Sequence, residues 1–111
     1  MKYVHIILPK TRKENVIKGF REFPCHKAYF LLEKGEKPHQ ELLVFPETSI
    51  TLEIKEGYKE IFLEIWNIIK REDKCFFVLN CSSPPSYSIP ARDALLIFSD
   101  NKICFFSDRL Y

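Results

Sequence analysis

No stretch of this chain approaches the roughly 20 consecutive apolar residues that a membrane-spanning helix needs. The opening MKYVHIILPK is too short, and too soon interrupted by Pro9 and Lys10, to read as a secretory leader. A cytoplasmic protein with no membrane partner is expected. Paired cysteines at C-x-x-C spacing are missing too. Cys25, Cys75, Cys81 and Cys104 follow no metal-ligand pattern, and three of them lie in or beside strand-like runs, so they read as buried, reduced thiols with no metal. A strong charge imbalance is also lacking: the net charge is +2, far from a nucleic-acid-binding composition, and no direct DNA-binding element is expected. Glutamine is nearly absent, which leans toward a thermophile, although the free cysteines count against that. Internal repeats and low-complexity segments are absent as well.

What the chain does have is apolar mass. With 111 residues, 46% of them hydrophobic and ten of them phenylalanine, residues 1–111 are expected to form one domain around a real core. The charge it carries is unevenly placed. Residues 1–27 hold seven Lys or Arg against Glu14 and Glu22, a balance of +5, so the remainder carries −3. An anion should prefer the N-terminal third, unless these cations only solvate a helix face.

Hydrophobic periodicity orders the elements as strand, helix, strand, unclear, strand, helix, strand, helix, strand. Residues 3–8 form a near-continuous apolar run, and residues 12–23 place Val16, Ile17, Phe20 and Phe23 on one helical face before Pro24. Residues 28–32 read as the second strand. Residues 49–55 alternate, with Ile50, Leu52 and Ile54 on one side, which marks an edge strand with one wet face. Residues 58–71 carry a broad apolar stripe through Ile61, Phe62, Ile65, Trp66 and Ile69, and Trp66 is expected in the core. The short unalternating runs 76–79 and 103–106 read as parallel strands buried on both faces, and residues 91–98 as the last helix. Between the second and third strands, Gly35, Pro38 and Pro46 leave room for at most two helical turns, so one sheet face should be thinly covered.

Strands alternating with helices imply an α/β, Rossmann-like domain: a mainly parallel five-stranded sheet in the order 3-2-1-4-5 with helices on both faces. That order puts a crevice between the loops after strands one and four, beside helix N-termini suited to an anion. Two segments face it: Pro9, Lys10 and Thr11, and the hydroxyl-rich residues 80–88, with Asn80, Ser82, Ser83 and Ser86 as candidate ligand contacts. A purely structural role stays open, in which Ser86 or Ser88 caps the last helix and Pro90 sits in its first turn.

The stretch VLNCSSPPSYSIPARDALLIF resembles the ligand loop and following helix of CARF domains, the CRISPR-associated Rossmann-fold sensors, and especially the archaeal group joined to winged-helix regulators. YVHIILPKTRKENVIKGFREFPCHKAYFLLEK is similar to that group's opening, and YKEIFLEIWNIIKRE to its third helix. The resemblance implies a homodimer that binds a cyclic oligoadenylate across its two-fold axis, with no cofactor, in CRISPR-linked defence or its regulation. Asn80, Ser82 and Ser83 match the family loop, whereas Pro84 and Ser86 stand where a glycine and a basic residue are common. The family's usual effector domain is not expected in this chain. Three readings follow: a sensor that binds the ring, a metal-independent ring nuclease, or a ligand-free dimerisation or interaction module. Catalysis is the reading that the serine at position 86 weakens, because a lysine or arginine there would supply the phosphate contact.

Overall fold

A computed structural model describes residues 1–72 and 74–106. Five strands form one all-parallel sheet: β1 (Lys2–Ile7), β2 (Lys27–Leu32), β3 (Thr48–Glu53), β4 (Cys75–Asn80) and β5 (Lys102–Phe105), in the spatial order β3-β2-β1-β4-β5. Three helices cross over between them, α1 (Lys13–Glu22), α2 (Tyr58–Arg71) and α3 (Pro85–Phe98). This is the Rossmann-like α/β arrangement that the alternation of elements implies.

Right-handed crossovers decide which face each helix covers. The chain steps outward from β1 to β2 to β3, so α1 and the β2–β3 connection fall on one face. It then returns past β1 to β4 and β5, which puts α2 and α3 on the other. The second face carries the main core, where Ile61, Ile65 and Ile68 of α2 and Ala91, Ala94 and Leu95 of α3 pack on Val4, Ile6, Tyr29, Leu31, Phe77 and Leu79. The first face carries a smaller cluster of Ile7, Val16, Ala28, Phe30 and Leu42. Its cover is thin because the β2–β3 connection holds only one 3₁₀ turn, Gln40–Leu42, and leaves Val44 and Phe45 exposed. Gly19 lets α1 lie close to the sheet, since a Cβ there would meet the Phe105 ring at 2.8 Å.

Three local expectations change. Trp66 is half-buried rather than core: on α2 the residues Ile61, Ile65 and Ile68 point at the sheet, while Trp66 flanks them and stacks on Phe98 at 5.0 Å between ring centroids. The run 103–106 reads as buried on both faces, but β5 is an edge strand whose residues are all half-buried. Its lack of alternation reflects apolar contacts on both sides, to Phe23 of the α1 layer through Phe105 and to the main core through Cys104. The last helix begins six residues earlier than residue 91, because Pro85 fits its first position, where no N–H is needed. Among the described residues, no helix is long and apolar enough to cross a membrane.

Candidate functional site

The β1–β4 register pairs Ile7 with Asn80, so the two strands end side by side and their loops face each other across the point where the strand order reverses. A hollow of about 400 Å³ opens there, lined by Lys10, Arg12, Cys81, Ser82, Ser83, Pro84 and Phe106. Lys10 and Arg12 are its charged lining residues, with no carboxylate among them, so its field favours an anion. A larger hollow of about 540 Å³ lies at the ends of β2 and β3, but Glu33, Glu53 and Glu56 line it together with Lys34 and Lys55. Charge, not volume, separates the two as anion sites.

The candidate residues divide by what their side chains already do. Asn80 is buried and spends both ends of its amide on structure: Nδ2 donates to the Asn15 carbonyl at 3.1 Å, and Oδ1 accepts from the Ser82 N–H at 2.9 Å. It closes the turn after β4. Thr11 is buried and donates its hydroxyl back to the Leu8 carbonyl at 2.8 Å. Pro9 is buried and contributes its carbonyl, which accepts from Ser83 Oγ at 2.8 Å. Lys10, Ser82 and Ser83 line the hollow.

Ser86 does not line that hollow. It is exposed in the first turn of α3 and faces a separate, more apolar depression of about 360 Å³ with Gly57, Tyr58, Ile89 and Pro90. Neither it nor Ser88 caps the helix, because the cap position is Pro84, which makes no side-chain cap bond. Pro90 stands at the sixth helical position rather than in the first turn, so the Ser86 carbonyl lacks its intrahelical donor. Pro84 and Pro85 also remove two N–H groups that a glycine- or serine-rich loop would turn toward a phosphate. Hydroxyls and cations, more than backbone amides, are what this loop offers an anion.

Lys10 adopts the left-handed backbone region, φ 62°, which costs a non-glycine residue about 1 to 2 kcal/mol. Glu36 helps to hold it there by accepting the Lys10 N–H at 3.1 Å, while Glu33 stands 3.6 Å from the Lys10 ammonium. Part of the Lys10 charge is therefore already answered by a carboxylate. Arg12, two residues on, pairs loosely with Glu14 at 3.8 Å and stays exposed. Sequence reasoning stopped the first loop at Thr11 and so missed Arg12; the run PKTRK carried the signal. Phe106 was missed because its place follows only from β5 lying next to β4.

His5 does not line the hollow. Buried in the middle of β1, it donates Nε2–H to the Pro24 carbonyl at 2.8 Å and packs on Phe20. Burial lowers its pKa to about 4. Among the described residues, no group of three or more His, Cys, Asp or Glu side chains is placed to hold a metal ion. No protein-family model matches the chain, and no curated protein matches it.

Proposed function

We propose that the chain is a nucleotide-sensing domain of the CARF kind, which binds a cyclic oligoadenylate across a homodimer in CRISPR-linked defence or its regulation. The observation that carries this reading is the cationic hollow at the switch point, walled by Lys10 and Arg12 on one side and by Ser82 and Ser83 on the other. A ring of adenylates presents phosphates, which such a wall attracts, and 2′-hydroxyls, which serine hydroxyls can pair.

The outward face of α3 supports the two-fold arrangement. Ile89 and Leu96 run along its centre and Ile97 beside them, all exposed. Arg92 and Asp93 share that face and are opposite in sign, so a two-fold pairing would match each with the other. This face adjoins the candidate loop through Pro85, so two copies meeting here bring two loops toward one axis.

The lining offers neither an imidazole nor a carboxylate to act as a base, which favours binding over turnover. Incubation with labelled cyclic tetra- and hexa-adenylate, followed by titration and product analysis, tests this. Saturable binding of an intact ring by a dimer is expected. Linear products would establish the ring nuclease instead, and no binding by a folded dimer would leave an interaction module.

A further inference from the structure

Three neighbouring strands deliver the residues that line the hollow. The registers pair Ile7 of β1 with Asn80 of β4, and Asn80 with Phe105 of β5, so the ends of these strands lie in a row. Lys10 and Arg12 follow β1, Ser82 and Ser83 follow β4, and Phe106 follows β5, all of them in the lining. Adjacent strands stand about 4.8 Å apart, which sets the strand that leads to the cations roughly 10 Å from the strand that leads to the ring. The Cys81 N–H donates to the Phe105 carbonyl at 2.7 Å and holds the last strand against the loop.

The two phenylalanines at this strand end are used differently. Phe105 packs on Phe23 at 5.2 Å between ring centroids and lies over Gly19. Phe106 keeps 48% of its surface exposed and is the one aromatic ring among the described residues of the lining. Cation, hydroxyl and ring thus follow one another across the hollow in the order in which a nucleotide carries phosphate, ribose and base.

We propose that Phe106 is the platform on which an adenine of the bound ring stacks, with the phosphates toward Lys10 and Arg12. The proposal rests on the nucleotide-sensing reading above and adds the residue that sets how tightly base-bearing ligands are held. Stacking takes the flat faces of base and side chain out of water together, and on an aromatic platform it raises affinity roughly tenfold to a hundredfold per base. Ammonium, guanidinium and hydroxyl groups fix the phosphates and sugars, which every nucleotide shares. The base is therefore recognised from the β5 side.

The test compares wild type with Phe106→Leu, which keeps apolar bulk and removes the flat ring, in titrations with cyclic tetra- and hexa-adenylate and with tripolyphosphate. Thermal melts show that both proteins are folded. Affinity for the cyclic adenylate should fall roughly tenfold to a hundredfold in Phe106→Leu, whereas tripolyphosphate, which has no base, should bind both proteins alike. Phe106→Tyr should keep the wild-type affinity. Phe106→Trp should bind as well, and the emission that it adds to that of Trp66 should be quenched as the cyclic adenylate binds, the signature of a base stacked on the indole. Unchanged affinity for the cyclic adenylate in Phe106→Leu would overturn the platform and leave the nucleotide reading standing. An equal loss for tripolyphosphate would also overturn it, by making Phe106 a support of the loop. Wild type that binds neither cyclic adenylate would overturn the nucleotide reading and the platform with it.

Discussion

Ser83 Oγ donates to the Pro9 carbonyl at 2.8 Å, which ties the loop after β4 to the loop after β1. The hydroxyl that the sequence offers as a ligand contact is thus also a strut between the two walls of the hollow. Ser83→Ala removes the donor and is expected to lower unfolding free energy by about 1 kcal/mol. Ser86→Ala, exposed in the first turn of α3, should stay within about 0.5 kcal/mol. Urea titrations of the two variants check this, and equal losses would mean that the Ser83 strut contributes nothing.

Lys10 combines a cationic side chain with a backbone shape that glycine adopts freely. Lys10→Gly relieves the left-handed strain and loses the 3.6 Å approach to Glu33, an exposed pair worth at most about 1 kcal/mol. Stability should therefore change by less than about 1 kcal/mol. On the proposed function, affinity for a cyclic oligoadenylate should fall roughly tenfold to a hundredfold, the loss expected of a charged contact worth about 1.5 to 3 kcal/mol. Thermal melts beside ligand titrations separate the two effects. Unchanged affinity would remove Lys10 from the site.

Two buried groups make the domain sensitive to acid. Burial lowers His5 from 6.5 to about 4, with the Pro24 carbonyl opposing and His26 assisting. Burial alone would raise Glu72, but Lys27 at 2.6 Å, the Tyr29 hydroxyl and Lys2 at 2.9 Å bring it from 4.5 to about 2. Both folded-state values lie below the unfolded ones, so both contributions are present in full above the unfolded values and drain as pH falls. His5 acts between 6.5 and about 4, and Glu72 between 4.5 and about 2. Each is worth on the order of 2 kcal/mol once the exposed Lys2 is discounted for screening. Unfolding free energies measured from pH 7 to pH 3 should fall in two overlapping stages. His5→Gln, which keeps a donor for Pro24 without a titrating ring, should flatten the upper one; a wild-type profile level down to pH 4 would contradict both assignments.

The half-burial of Trp66 changes what its removal should cost. Ile65 is fully buried against the sheet, so Ile65→Ala should cost about 2 to 5 kcal/mol. Trp66→Ala gives up the stack on Phe98 and the Lys70 ammonium 4.1 Å from its ring centroid, worth about 1 to 3 kcal/mol together. Denaturant melts in which Trp66→Ala proved the more damaging would return Trp66 to the core.

Period and order made the sheet legible in the sequence. The alternation of Ile50, Leu52 and Ile54 marked an edge, the unbroken run 76–79 marked a strand covered on both faces, and the usual winding of open α/β sheets outward from a central first strand then set the strand order. The start of α3 was less legible, because serines and prolines read as loop. Local composition cannot show that Pro85 is a permitted first helical residue and that the interior cost of Pro90 is outweighed by burying Tyr87, Ala91, Ala94 and Leu95. The candidate site suffered from the same gap. Extending the loop to residue 88 brought Ser86 into the crevice, whereas one helical turn rotates it onto a neighbouring depression. The structural role of Asn80 rests on a contact to Asn15 that appears only once the fold is assembled, whereas Thr11 bonds back to Leu8 within its own turn.

The outward face of α3 supplies the remaining prediction. Ile89 is 44% exposed, Leu96 57% and Ile97 65%, and their helical spacing puts all three on one side, opposite the Ala91, Ala94 and Leu95 that pack into the core. The part of these three side chains left in water forgoes burial worth roughly 1 to 2 kcal/mol each, which a second copy would recover. Sedimentation at micromolar concentration should therefore report twice the chain mass. Leu96→Glu places an unpaired carboxylate at the centre of that face and should shift the protein to monomer. Its thermal stability measured as a monomer should barely change, because Leu96 makes no part of the core. On the proposed function, ligand affinity should fall with the dimer, since a site shared across the two-fold axis would lose half of its cationic wall. A wild-type monomer, or a Leu96→Glu dimer, would move the interface elsewhere, and the exposed Val44 and Phe45 on the thinly covered sheet face would be the next surface to mutate.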